Sequence, residues 1–160
     1  MGSARTWSRD LPPEQREALA LAASLTDELA GADALLFAVP LYNWGVSQHF
    51  KTWADLVVTD PRMSPKAVPV TEGKPAVLVT VRGGGYGPGT PREGWDHATA
   101  WMRRILADVW RLDLRVVETE LTLADTNPEM AQLKELAMKL RADAEDAARS
   151  CGQALAGVRP

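Results

Sequence analysis

Two runs of the sequence, ALLFAV at residues 34 to 39 and AVLVTV at 76 to 81, are apolar on both alternating faces. Each ends abruptly, the first at Pro40 and the second at Arg82-Gly83-Gly84-Gly85. A strand with one face in water alternates polar and apolar residues. A run that is apolar throughout reads instead as a strand covered on both sides, the situation in a parallel sheet. Parallel pairing also requires a long crossover between strands, usually a helix. The segments flanking these runs supply that pattern.

Pro12-Pro13-Glu14 opens a helix, with proline and an acidic residue where a first turn accepts them. Ala18, Leu21, Ala22, Leu25 and Leu29 then recur at helical spacing until Gly31 ends the segment. Ser47 to Val58 places Phe50, Trp53 and Val57 on one helical face, and the proline-punctuated stretch from Thr59 to Lys74 reads as a loop. Trp95 to Trp110 carries Ala98, Trp101, Met102, Ile105 and Val109 as a third stripe. LRVVETELTL, residues 114 to 123, alternates as an edge strand does. Asn127 and Pro128 form an N-cap and first-turn pair for a last helix over 128 to 155, lined by Met130, Leu133, Ala137, Leu140 and Ala144. Helix and strand alternate from end to end. That order predicts an α/β layered fold in a single domain over residues 1 to 160, with an irregular stretch at 1 to 12.

Ligands of such sheets sit beyond the carboxyl ends of the strands. Both unusual loops, Pro40 to Gly45 and Arg82 to Gly89, leave carboxyl ends of apolar strands and are expected to converge on one crevice. In the first, Pro40 ends the ladder and frees the backbone of Leu41, Tyr42, Asn43, Trp44 and Gly45. Free N–H and C=O groups can read the edge of a flat heteroaromatic ligand, and Tyr42 and Trp44 offer ring faces. The bland alternative is that the aromatics plug the end of the sheet. In the second loop Gly83 and Gly84 allow close backbone approach. It does not match the dinucleotide fingerprint, because no helix follows at once. Arg82 either faces an anionic ligand edge or makes a plain surface ion pair. Tyr86, Trp95 and His97 are candidates to line the crevice as proton donors or a stacking wall.

Composition excludes other classes. A net charge of -3 with a pI near 5.4 gives no footprint for nucleic acid. No run approaches a membrane span, and the first residues show no signal-peptide pattern. The single cysteine, Cys151, forbids an internal disulfide and fits a reducing, cytoplasmic setting. His49 and His97 have no carboxylate cluster beside them, so no metal site is expected. Six tryptophans, at 7, 44, 53, 95, 101 and 110, fit an aromatic pocket or interface as well as a core.

ADALLFAVPLYNWGVSQHFKTWADLV resembles a segment of FMN-dependent NAD(P)H oxidoreductases in which a strand ends in a Pro-(Met/Leu)-Tyr-Asn-(Phe/Trp)-Gly loop. GKPAVLVTVRGGGYGPG is similar to their next strand, ending in Arg-Gly-Gly. The likeness runs from about Pro13 to Leu155 and points to the NADH azoreductases and quinone reductases of flavodoxin-like fold. The resemblance implies that Pro40, Leu41, Tyr42, Asn43, Trp44 and Gly45 lie along the isoalloxazine of FMN. It implies also that Arg82, Gly83 and Gly84 border its pyrimidine side, that Tyr86 closes over it, and that the protein is a homodimer. Hydride would pass from NAD(P)H to the flavin and on to a small quinone, azo or nitro acceptor. Val81 departs from the family, which usually carries Ser there.

A flavodoxin-like sheet has strands ahead of those visible here, with the FMN phosphate on the loop after the first. The chain begins about two strands into that order, so its three strands are expected to lack the phosphate loop. Either the sequence is an N-terminally shortened form or a partner copy covers the strand edge at ALLFAV. Loss of about three phosphate contacts at roughly 1.5 to 3 kcal/mol each would cost three or more decades of FMN affinity. Two other classes stay open: a flavin-free binder of a planar metabolite, as binding module or cofactor-independent enzyme, and a non-catalytic assembly subunit.

Overall fold

The computed structural model describes residues 11–157; most of the irregular stretch expected at 1 to 12, and Trp7 with it, lies outside them. Helix α1 (Pro13–Gly31) leads to strand β1 (Leu35–Ala38), helix α2 (Gln48–Val57) to β2 (Pro75–Val81), and α3 (Thr99–Arg103) to β3 (Asp113–Thr119), before α4 (Lys134–Gly157). The three strands form a parallel sheet in the order β1-β2-β3, with Leu36 opposite Val77 and Val79 opposite Val117. The α/β expectation and its alternation hold.

Local chemistry sets the boundaries. Ser47 caps α2 by accepting the Phe50 N–H, and Asn127 accepts the Glu129 N–H at the turn into Pro128–Leu133, a short 3₁₀ stretch before α4. The third helical stripe begins later than expected, at Thr99, and runs from Arg104 to Val109 as π-helix, with the Trp110 N–H reaching Ile105. The third strand ends at Thr119 rather than 123. Leu121 has a φ of 62°, and residues 121 to 123 turn back to bond the carbonyls of Gly84, Arg82 and Gly83.

Because strand side chains alternate, Leu35, Phe37, Ala76, Leu78, Leu114 and Val116 share one face. There they join a core with Leu29 of α1, Phe50, Ala54 and Val57 of α2, and Met102, Leu106 and Trp110. Its centre is aromatic: Phe37 and Phe50 meet edge to face at 6.0 Å, and Trp53 meets Trp110 at 5.2 Å. Arg62 ties α1 to the loop after α2, pairing with Asp27 at 2.7 Å and with the buried Asp60 at 2.7 Å. The opposite sheet face is covered by α4 over β3 and β2, whereas over β1 Leu36 stays 70% exposed. Both apolar runs are therefore strands. The second has residues of both its faces buried, and β1 is covered on only one.

Trp110 is fully buried against Trp53. Replacing it with Ala is expected to cost about 3 to 5 kcal/mol, read as a lower urea midpoint at an unchanged slope.

Candidate functional site

All three strands point the same way, so their exit loops gather at one end of the sheet. Beyond Pro40, which has no N–H, the pairing resumes for one residue as the Leu41 N–H donates to the Val81 carbonyl at 3.1 Å. The chain then reverses. Tyr42 and Gly45 exchange both backbone bonds, at 3.3 and 2.9 Å, and the two residues between them are left-handed, Asn43 at φ 45° and Trp44 at φ 59°. Two successive positive φ values are what a tight type I′ turn requires. Asn tolerates that conformation, but for Trp44 it stores strain of order 1 to 3 kcal/mol. The turn pushes Tyr42 and Trp44 into solvent, 61% and 42% exposed.

What holds the strained turn comes from the segment that enters α3. The His97 N–H donates to the Trp44 carbonyl at 2.9 Å, and the Trp95 ring meets that of Trp44 edge to face at 5.7 Å. The glycine-rich loop is anchored from the other side. The Arg82 N–H bonds the Thr119 carbonyl at 2.9 Å, and residues 121 to 123 bond back across Arg82, Gly83 and Gly84. A Cβ on Gly83 would lie 2.8 Å from Leu123 Cδ1, so the loop packs closely on this segment and a side chain there would displace the exposed Leu123.

The Arg82 side chain is occupied within the protein. Its guanidinium pairs with Asp96 at 2.8 Å, Glu118 at 3.2 Å and Glu120 at 3.3 Å, with only 11% of the side chain exposed. Burial alone would lower its pKa, but the Asp96 hydrogen bond and the charges of Glu118 and Glu120 outweigh it and raise the value above the usual arginine range. Glu120 also accepts the Tyr86 N–H at 3.1 Å, fixing the half-buried Tyr86 beside Gly84. Asp96 accepts from Arg82, from the N–H groups of Ala98 and Thr99 at 2.9 Å each, and from the Thr99 hydroxyl at 2.6 Å. Nothing in the sequence marked Asp96. Its signal is an Asp three residues ahead of the helix start at Thr99, able to accept the N–H groups of the residues that enter the helix.

Among the described residues the backbone N–H groups of Asn43, Trp44, Gly83, Gly84 and Gly85 bond no protein acceptor. The two loops thus lie side by side, bridged through Leu41–Val81, with these unbonded N–H groups and the exposed Tyr42 and Trp44 rings at the same end of the sheet. This fits the ring portion of a flavin, whose carbonyl and nitrogen edge accepts such donors while its faces stack. His97 is exposed at the same edge, whereas His49 lies on α2; no cluster of three metal-ligating side chains occurs among the described residues. A cavity of about 400 Å³ lies beside these loops rather than between them. Val79, Val81, Val117 and Thr119 wall it on the sheet side, Ala137 and Met138 on α4. No sequence motif points to it.

Residues 3–144 match the family described by its flavodoxin-like fold. A protein of Frankia casuarinae named FMN-dependent NADH:quinone oxidoreductase is 40% identical over 147 residues, covering 90% of this chain and 69% of that one. A protein of the same name from Frankia alni is 38% identical over 140 residues, 86% of this chain and 66% of its own. The chain thus spans about two thirds of the length of these relatives. The fold is also that of an azoreductase from Bacillus anthracis str. Sterne, with a TM-score of 0.69 at 22% identity over 90% of this chain and 67% of the other. An FMN-dependent NADH-azoreductase from Bacillus anthracis str. Ames Ancestor, solved in complex with FMN, aligns with a TM-score of 0.60 at 13% identity over 87% of this chain and 67% of its own.

Burial pushes the Asp96 carboxyl up, but hydrogen bonds from Thr99, Arg82 and Ala98 outweigh it and hold the group below the ordinary 3.8. A depressed folded pKa gives stability that is complete above the unfolded value and lost as pH falls through the folded one. Denaturant midpoints are expected to hold steady in this respect from about pH 7 to about pH 5 and to fall below about pH 4. Asp96→Asn should flatten part of that acid limb.

Proposed function

The chain belongs to the flavodoxin-like fold family, and from that premise we propose that it is an FMN-dependent NAD(P)H oxidoreductase passing electrons to a quinone or azo acceptor. Support comes from the relatives' name and from one structural observation. The free N–H groups of Asn43, Trp44, Gly83, Gly84 and Gly85 stand with two exposed aromatic rings at the common end of a parallel sheet. When bound, FMN supplies the chemistry, accepting hydride from the nicotinamide and releasing electrons to the acceptor.

The residues of this chain bind and orient the ring. Pro40, Leu41 and Gly45 shape the approach, Tyr42 and Trp44 cover a face, and the amides of Asn43 and Trp44 meet its polar edge. Gly83 and Gly84 bring a second row of amides to the pyrimidine side. Arg82 serves from behind: it is committed to three carboxylates, and its charge fixes the loop rather than meeting the ligand directly. Tyr86 closes the site, and the exposed His97 is the group placed to hold or deliver a proton at the acceptor. Leu36, Leu136 and Met138, each at least 48% exposed, support a homodimer as the working form. The single cysteine supports a cytoplasmic setting. No helix among the described residues is long and apolar enough to cross a membrane.

Titration of the purified protein with FMN, followed by flavin fluorescence, is expected to show saturable binding, and the loaded protein to oxidise NADH in the presence of a quinone. No uptake of FMN at micromolar concentration would overturn the reading. Trp44→Ala, which removes a stacking face, and Asn43→Ala, which replaces a residue that tolerates the left-handed turn with one that does not, should each weaken FMN binding by about tenfold or more. Trp44→Ala keeps a Cβ in the left-handed conformation and so leaves the backbone strain in place, while it loses the edge-to-face contact with Trp95; the unfolding free energy is expected to fall by about 0.5 to 1.5 kcal/mol, read from urea denaturation.

A further inference from the structure

Asp96 links Arg82 at the start of the second loop to the entry of α3. One of its oxygens, Oδ1, takes the N–H groups of Ala98 and Thr99; the other, Oδ2, takes the Thr99 hydroxyl and the Arg82 guanidinium. The carboxylate is 11% exposed and accepts about as many bonds as its lone pairs allow. Its chain neighbours do different work. Trp95 packs its ring on Trp44, and the N–H of His97 holds the Trp44 carbonyl at 2.9 Å. Three consecutive residues thus join the left-handed turn of the first loop to the residue that opens the second.

We infer that Asp96 is a positioning residue. Its carboxylate locks the Trp95–His97 segment to Arg82, and through that segment it keeps Trp44 left-handed and at a fixed separation from the glycine-rich loop. The functional part of this rests on the flavin reading above; the mechanical part rests on geometry alone.

The chemistry singles out a carboxylate. An Asn at this position retains one acceptor oxygen for the Ala98 and Thr99 amides, so the entry to α3 stays capped. It turns an NH₂ toward the guanidinium and the hydroxyl, however, and two donors facing each other break the tie to Arg82. Arg82 still has Glu118 and Glu120, so no buried charge is stranded and the fold survives. The effect is then felt as geometry. With the Trp95–His97 segment no longer fixed, the strained Trp44 relaxes toward an ordinary conformation.

The test reads the Trp44–Trp95 pair directly. Two indoles at this separation couple, and the couplet in the circular dichroism of the FMN-free protein is defined as the signal lost in both Trp44→Phe and Trp95→Phe. Asp96→Asn is expected to erase that couplet while the helical signal persists, and to raise the FMN dissociation constant by about tenfold or more. Thr99→Val, which removes one bond to the same oxygen, is expected to weaken the couplet partially and provides the readout if Asp96→Asn does not fold. A couplet unchanged in the folded Asn variant, or in the Val variant where only that one folds, would overturn the positioning role. Should the native protein take up no FMN while Asp96→Asn still erases the couplet, the flavin reading falls and the positioning role stands.

Discussion

Because β1, β2 and β3 run in one direction, each must be regained by a helix that returns along the whole sheet, and every exit loop emerges at the same end. A sequence that places Pro-Leu-Tyr-Asn-Trp-Gly after one strand and Arg-Gly-Gly after the next therefore brings them together without any direct attraction between them. The single bond from Leu41 to the Val81 carbonyl is enough to set them side by side, since the sheet has already done the long-range work.

Much of this was legible beforehand. Apolar runs at 34 to 39 and 76 to 81 could be read as buried strands because a parallel strand leaves an unbroken trace, and the helical stripes followed from spacing. The loops were legible as a site because proline and clustered glycine mark where a ladder stops. The alternation through ELTL predicts a third strand that ends at 123, four residues beyond the observed end at Thr119, because the left-handed Leu121 turns the backbone; a local φ leaves no trace in hydrophobic pattern. Arg82 was visible, yet its three partners come from elsewhere in the chain, 14 residues on at Asp96 and farther at Glu118 and Glu120. Pairing at such separations is a property of the fold. The same holds for the uneven cover on β1, where Leu36 has the composition of a buried residue and the exposure of a surface one.

The site is also where local preference is overruled. A Trp at positive φ is disfavoured by its own backbone, and an Arg held by three carboxylates gives up hydration that a surface arginine keeps. The two departures sit in the loops that leave neighbouring strands, and both are held by neighbours rather than by their own propensity. Rules of local consistency tend to fail where a chain must present something to a ligand, and two of the failures here lie at the carboxyl end of the sheet.

The strand order carries a consequence for how the two loops are anchored in time. β2 is bonded along both edges, whereas β1 contributes four residues and, within the described residues, pairs on one side only. Local opening follows the number of such bonds that must break together. Amide protons of β2 should therefore exchange with solvent last and those of β1 well before them. The glycine-rich loop hangs from the most persistent strand of the sheet, and the aromatic turn from a more labile one, so the two sides of the crevice keep different clocks.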